Sequence, residues 1–261
     1  RKAAIGLLKQ SLGADPFCPD EARQELATVV WECAYLMNTE GENPHETASL
    51  ILAHADPDSL RDDTAMELCR AYSRGGDPEA ALALLRSHHF RPGEGSEAAI
   101  AMRYIEAQCA LGDKLRDAGD LAAARDAYAA ARTIPDWLDG SIGGEGPYLR
   151  AMLGEAECRK ALAPDDPGET AAADATIAHV ADASPDVLLR ARLYVALGRP
   201  GDAKALLEKK KAEWSVERNK EDGGYYASQP AYLSYLEPSA AERKRRFDPL
   251  IARADEMLKK L

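Results

Sequence analysis

A glycine-centred turn between two helix-forming stretches recurs along the chain, and this recurrence constrains the fold more than any other feature. The three clearest copies are MELCRAYSRGGDPEAALALL (66–85), AQCALGDKLRDAGDLAAARDAY (107–128) and LLRARLYVALGRPGDAKALL (188–207). In each copy, apolar residues recur at helical spacing on both sides of the glycine. One such pair of helices cannot cover its own apolar face, so we expect successive pairs to stack.

Helix signals extend over most of the remaining sequence, whereas strand signals are nearly absent. Asn43-Pro44, Asp77-Pro78 and Ser184-Pro185 each place a capping residue before a proline at the first helical position. Ser239–Glu242 has the form of a capping box. The pattern predicts helices at roughly 2–12, 20–38, 45–55, 60–74, 78–88, 97–117, 121–133, 147–162, 169–182, 186–197, 201–217 and 239–260.

Composition and charge narrow the function classes. The 261 residues include 33 basic and 44 acidic side chains, a net charge of −11 that disfavours a general nucleic-acid or anionic-membrane binder. No apolar run of about 18 residues predicts a membrane-spanning helix. The five cysteines show no CxxC spacing and predict buried free thiols in a reducing, cytoplasmic setting. Because the chain starts at Arg1 without a signal-like stretch, we expect it to be part of a longer protein.

The recurring pattern resembles the tetratricopeptide (TPR) repeat, a helix–turn–helix unit with small and large residues at fixed positions. The middle copy carries the resemblance best. Leu111-Gly112 occupy the Leu-Gly positions of its first helix, Gly119-Asp120 form its turn, and Ala124, Tyr128 and Ala131 follow in its second helix. Small residues where the helices cross let the backbones approach, and the aromatic residue fills the space beside the next pair.

The resemblance covers roughly residues 20–215, with copies farther apart than the ~34 residues of strict repeats. Leu153-Gly154 begin another copy, whose turn is broken by APDDPGE (163–169). The implied fold is all-α, a TPR-like right-handed superhelix of antiparallel helix pairs (an α-solenoid) with irregular repeats. The implied organisation is a repeat array over 1–218, followed in the same structural domain by a Tyr/Pro-containing connection and capping helix over 219–261.

A second resemblance concerns RPGEGSEAAIAMRYIEAQCALG (91–112) and AYAAARTIPDWLDG (127–140). These stretches are similar to the TPR-like C-terminal region of large bacterial proteins that carry an N-terminal domain of unknown function. The resemblance implies an association with carbohydrate use. It marks Phe90, Glu94 and Glu97 as contact-loop residues. The connection WLDGSIGGEGPY (137–148) is either a long linker or a mobile lid, and in a lid the contact-loop residues Trp137 and Tyr148 would stack on a sugar or peptide.

No residue pattern predicts a catalytic centre. His88 and His89 point about 100° apart on a helix, so they cannot hold one metal ion without further ligands, and a helix-end role is expected for them. Gly93–Ser96 lacks the lysine and the spacing of a phosphate-binding loop. We therefore predict no catalytic residue, metal or cofactor in this chain, with the activity of a longer parent protein left open.

The TPR resemblance implies a concave groove lined by first-helix residues one turn apart. The predicted groove residues are Met66, Arg70, Arg74, Asp113, Arg116, Glu155, Arg159 and Arg192. The arginines either bind a carboxylate-bearing segment or pair with Asp113 and Glu155.

The predicted function is a non-catalytic scaffold for protein–protein or intramolecular interaction. Its partner is a protein or peptide, including the N-terminal part of the same polypeptide. The alternative is an accessory helical domain of a carbohydrate-active bacterial enzyme, whose loops contribute to a site completed by a β domain.

Overall fold

A computed structural model of the chain describes residues 2–12, 20–55, 60–91, 96–138, 140–220 and 240–261. These residues form α-helices and one short 3-10 helix, with no strand among them, so the predicted all-α class is confirmed. The helices are α1 (Lys2–Leu12), α2 (Asp20–Glu40), α3 (Pro44–His54), α4 (Asp62–Arg74), α5 (Pro78–Ser87), α6 (Ser96–Asp117), α7 (Leu121–Ala130), α8 (Leu149–Leu162), α9 (Pro167–Ala183), α10 (Val187–Ala196), α11 (Pro200–Arg218) and α12 (Ala240–Leu258). The 3-10 helix, Gly146–Tyr148, directly precedes α8.

The chain divides into two compact units, Arg1–Ala173 and Asp174–Leu261. In the second unit α10 packs on α11 and α11 on α12, around buried residues that include Leu193, Tyr194 and Leu207. The predicted boundary at residue 218 falls inside this unit. Most of the predicted Tyr/Pro connection lies outside the described residues, so that division stays a prediction.

In the first unit each helix from α1 to α8 packs against the next one along the chain. A second set of contacts joins alternate helices, because α2 packs on α4, α4 on α6 and α6 on α8. Buried residues of the described part form one cluster that runs from Ile5 to Leu138 and another that gathers around Tyr128. The even-numbered helices therefore form a continuous row within this unit.

The predicted glycine turns close one helix and open the next. Gly76 and Gly119 have φ of 82° and 85°, a left-handed conformation that only glycine adopts readily. The residue after each glycine donates its backbone N–H to a carbonyl five residues earlier, at 3.0 Å in both turns, which is the Schellman arrangement. Asp77 and Asp120 then cap the following helices by accepting from Ala80 N and from the Ala123 backbone. The Gly-Asp pair is thus a complete helix-to-helix connection.

Tyr128 fills a gap between two glycines that the repeat pattern had placed in equivalent positions. Its side chain is 1% exposed. A Cβ added at Gly112 on α6 would lie 2.7 Å from the Tyr128 ring, and one added at Gly154 on α8 would lie 2.5 Å from it. The ring therefore occupies space that exists only because both neighbours lack a side chain.

One predicted helix start needs correction, and another lies outside the described residues. We expected Ser184 to cap α10 with Pro185 at its first position. Instead α10 begins at Val187, and the Asp186 side chain accepts from Leu188 N and Leu189 N at 2.9 and 3.0 Å. The longer aspartate side chain reaches two free backbone N–H groups at once, which favours the later start. The expected capping box at Ser239 is outside the described residues.

The contacts of Tyr128 predict that adding one methyl group at either glycine destabilises the fold. We expect Gly112→Ala and Gly154→Ala each to lower the free energy of unfolding by about 1–3 kcal/mol, because the ring has no free volume to enter. Urea denaturation followed by circular dichroism measures this. Gly6→Ala on α1 is the matched control, since nothing lies within 4 Å of its added Cβ. We expect it to be neutral or stabilising, and equal effects at all three positions would contradict the packing argument.

Candidate functional site

The first unit contains an open cavity of about 660 Å³ on the row of even-numbered helices. Its volume lies within the usual range for ligand-binding pockets, and its lining is rich in charge. The lining residues come from α4 and its following turn, from α6 and from α8. They are Arg70, Ser73, Arg74, Gly76, Glu106, Ala110, Asp113, Lys114, Asp117 and Arg150.

The α6 wall of the cavity follows from helical spacing. Its five lining residues, from Glu106 to Asp117, lie on one stripe of the helix, because their positions step by three or four residues apart from the adjacent pair Asp113 and Lys114. Another stripe of α6 is apolar and faces the core, where Ile105 and Cys109 are buried. The amphipathic pattern of α6 thus places charged side chains in the cavity and apolar ones beneath it.

Asp113 links the cavity to the core beneath it. Its carboxylate accepts hydrogen bonds from the Tyr128 hydroxyl and from the guanidinium groups of Arg116 and Arg150. Burial raises the pKa of Tyr128 above its ordinary value, and the hydrogen bond to Asp113 raises it further. The cavity floor is therefore held by a buried phenol that stays protonated at physiological pH.

Arg116 serves to join helices and does not line the cavity. It donates to Asp113 at 3.0 Å and to Glu157 on α8 at 3.1 Å, and its guanidinium lies 6.0 Å from the centre of the Tyr128 ring. Burial alone lowers the pKa of Arg116, but the nearby acidic groups outweigh this effect and raise it. For Arg116, the structure shows the predicted pairing with Asp113.

The α4 wall contains a second polar network. Arg74 donates to the backbone oxygen of Asn38 at 2.9 Å and to its side-chain oxygen at 3.1 Å. Asn38 in turn donates to the buried Glu67 carboxylate at 2.7 Å. Arg70 lies at the edge of this network, with one guanidinium nitrogen 3.9 Å from Glu67. The cavity thus brings together three predicted groove residues: Arg70, Arg74 and Asp113.

The other predicted groove residues lie elsewhere. Met66 packs half-buried against the larger core cluster. Glu155 pairs with Arg132 at 2.7 Å, and Arg159 pairs with Glu169 at 2.7 Å. Arg192 belongs to the second unit, where it is exposed. The partners of Glu155 and Arg159 come from the loop after α7 and from α9, which one-turn spacing along α8 does not reveal.

Two of the five predicted contact-loop residues meet at a smaller cavity of about 100 Å³, lined by Phe90 and Trp137 among others. Phe90 is 4% exposed and packs in the core, so its ring is not available as a contact surface. Trp137 is 44% exposed, in a T-shaped contact with Tyr104 and with the Arg86 guanidinium over its face, 5.4 Å from the ring centre. The other three predicted contact-loop residues, Glu94, Glu97 and Tyr148, do not line this cavity.

Of those three, Glu97 is exposed in the first turn of α6. Tyr148 is half-buried against the second core cluster. Glu94 lies outside the described residues.

His88 follows the last residue of α5 and is held by a carboxylate that no sequence pattern indicates. Its Nε2 lies 2.9 Å from Oδ1 of Asp62 at the start of α4, and the other oxygen of Asp62 accepts from the backbone N–H of Arg91 at 2.8 Å. Asp62 thereby ties the end of α5 to the beginning of α4. The aspartate at a helix start gave no sign of this role, because acidic residues are common there.

Two kinds of reactive group, metal-ligand clusters and cysteine thiols, can be assessed in the described residues. These residues include no group of three or more His, Cys, Asp and Glu side chains placed to hold a metal ion. Cys33, Cys69, Cys109 and Cys158 are buried free thiols, as predicted, while Cys18 lies outside the described part. Burial raises the pKa of Cys69 to about 12 and that of Cys109 to about 11. These thiols stay protonated at neutral pH and are poor nucleophiles.

No helix in the described part has the length and apolarity needed to cross a bilayer.

The hydrogen bonds of Asp113 predict a large cost for removing its charge. We expect Asp113→Asn to lower the free energy of unfolding by about 1–3 kcal/mol, because the amide offers one acceptor oxygen to three donors and two guanidinium groups lose the negative charge they share. Asp126→Asn on α7 is the matched control. Asp126 is 68% exposed and pairs with the adjacent Arg125, so we expect its loss to cost about 0–1 kcal/mol. Equal effects in urea denaturation would contradict the role of Asp113.

The raised pKa of Tyr128 predicts a loss of stability at alkaline pH. The unfolded chain releases this proton near the ordinary pKa of 10.0, whereas the folded protein keeps it, so stability falls as the pH rises above that value. Unfolding free energies measured from about pH 8 to about pH 11 should show a steeper decline for the wild type than for Tyr128→Phe. Identical slopes would mean that Tyr128 does not contribute.

No family model, no curated protein and no solved structure matches the chain.

Proposed function

We propose that this chain is a non-catalytic, TPR-like scaffold that binds a segment of a partner protein in the cavity on α4, α6 and α8. The fold part of the proposal is a right-handed superhelix of antiparallel helix pairs. The order of packing supports it, because the first helices of successive pairs contact each other as well as their own partners. The Schellman turns at Gly76 and Gly119 support it further, since they recur at the predicted centres of two pairs.

The observation that carries the binding proposal is the charged cavity itself. It lies where three successive first helices meet, and its wall includes Arg70, Arg74 and Asp113 of the predicted groove. A polar, open cavity of about 660 Å³ suits an extended peptide better than a buried apolar ligand. The partner is another protein or the N-terminal part of the same polypeptide.

The alternative, an accessory domain of a carbohydrate-active enzyme, has less support. It needs the loops around Phe90 and Trp137 to form the wall of a site. The Phe90 ring is buried, and one face of Trp137 is covered by the Arg86 guanidinium. No observation on these loops favours this alternative.

A peptide-selection experiment tests the scaffold proposal. Random peptides displayed on phage are selected against the folded chain, and the enriched peptides are synthesised and titrated by calorimetry. We expect Ala110→Trp, which fills the cavity, to weaken their binding at least about tenfold, a loss of about 1.4 kcal/mol. Ala83→Trp on α5 is the matched control, because Ala83 is exposed and does not line the cavity. Failure to enrich any peptide, or equal binding by both variants, would contradict the proposal.

A further inference from the structure

Two charged side chains of the cavity have no hydrogen-bonding partner within the described part of the chain. Arg70, on the α4 wall, approaches an acceptor only at the 3.9 Å ion pair with Glu67. The Glu67 carboxylate already accepts from Asn38 at 2.7 Å, so it is not a dedicated partner for Arg70. Asp117, the last residue of α6, is exposed and forms no hydrogen bond or ion pair with the described residues.

The remaining charged residues of the cavity are each engaged with a neighbour. Arg74 donates to Asn38, and Lys114 donates to Glu79 at 2.8 Å. Arg150 pairs with Asp113, and Glu106 pairs with Arg103. A ligand that used these groups would have to displace an existing contact. Arg70 would give up only its 3.9 Å ion pair with Glu67, and Asp117, whose charge attracts the neighbouring Arg116, would give up no hydrogen bond.

These two groups without a hydrogen bond lie on different walls and have opposite charges. Arg70 belongs to α4, and Asp117 to α6, and these helices pack side by side. In the repeat frame set by Gly76 and Gly119, Arg70 is equivalent to Asp113, so Asp117 lies one helical turn further along. One turn corresponds to about 5.4 Å. The two charges are therefore offset along the cavity as well as across it.

We infer that the bound segment carries one acidic side chain, which binds Arg70, and one basic side chain, which binds Asp117. This inference rests on the proposed function and specifies the partner. Arginine binds a carboxylate through two parallel hydrogen bonds, and Asp117 accepts from lysine or arginine. Successive side chains of an extended segment point to opposite sides, so residues an odd number of positions apart reach the two walls.

Segments of a single charge fit the same cavity less well. A purely acidic segment meets Glu106, Asp113 and Asp117, while a purely basic one meets Arg70, Arg74, Lys114 and Arg150. Like charges that face each other across an interface lower the affinity of that partner, and in this way they discriminate against wrong partners. The cavity therefore selects for a mixed pair of charges rather than for net charge.

Double-mutant cycles on the phage-selected peptides test the inference. Arg70→Gln is combined with replacement of the peptide's acidic residue by Gln, and Asp117→Asn with replacement of its basic residue by Gln. We expect each matched cycle to give a coupling of about tenfold in affinity, and each crossed cycle to give none. The peptide changes cannot unfold the protein. Arg125→Gln and Asp126→Asn on α7 are the control variants, and we expect them to leave affinity unchanged.

The outcomes separate this inference from the proposal beneath it. Enriched peptides that depend on Ala110 but carry only acidic or only basic residues would overturn the inference and leave the scaffold intact. Matched and crossed cycles of equal size would also overturn it, since that pattern reflects net charge. If no peptide is enriched, or if binding is insensitive to Ala110→Trp, both fail together.

Discussion

The fit of Tyr128 between Gly112 and Gly154 is the constraint on which the middle of the first unit depends. A tyrosine ring from α7 can lie between α6 and α8 only where both backbones come close and neither carries a side chain. Small changes in that spacing are costly, because a packed interior has no volume to absorb them. The distance between α6 and α8, and with it the width of the cavity above, is set by this contact.

Asp113 extends that constraint from the core to the surface. The Tyr128 hydroxyl beneath it is buried, so it needs an acceptor, and the Asp113 carboxylate supplies one. The same carboxylate holds Arg150 from α8 in the cavity wall and Arg116 toward Glu157. One acidic residue thus satisfies the core aromatic and positions two charged neighbours. This explains why a residue predicted as part of a groove turns out to be structural as well.

The all-α class and most helix bounds were predictable because their determinants are local. The Gly-Asp pairs specify a Schellman turn followed by an N-cap, and both depend on residues within one turn of each other. The cavity was less predictable, since its membership depends on which helices lie side by side. Arg150 was missed because it lies in the first turn of α8, after a long connection. Arg116 is a predicted groove residue that does not line the cavity. Adjacent residues of a helix point about 100° apart, so Arg116 faces α8 while Asp117 lines the cavity. Asp117 lies one turn beyond Asp113 and two turns beyond Ala110 on α6, but this spacing marks it as a lining residue only once those two are known to line the cavity.

The charge balance of the chain bears on how the proposed partner segment would be attracted. With a net charge of −11, the protein repels an acidic segment at distances beyond about 10 Å at low ionic strength, and salt screens this repulsion. Arg70 acts only at contact, so a purely acidic segment would approach against the field of the whole molecule. A segment that also carries a basic residue feels less net repulsion on approach. Once the segment is bound, its basic side chain contacts the Asp117 carboxylate and not another cation. Long-range and short-range electrostatics therefore favour the same occupant, and added salt should weaken its contacts with the cavity without reversing its preference for the mixed pair.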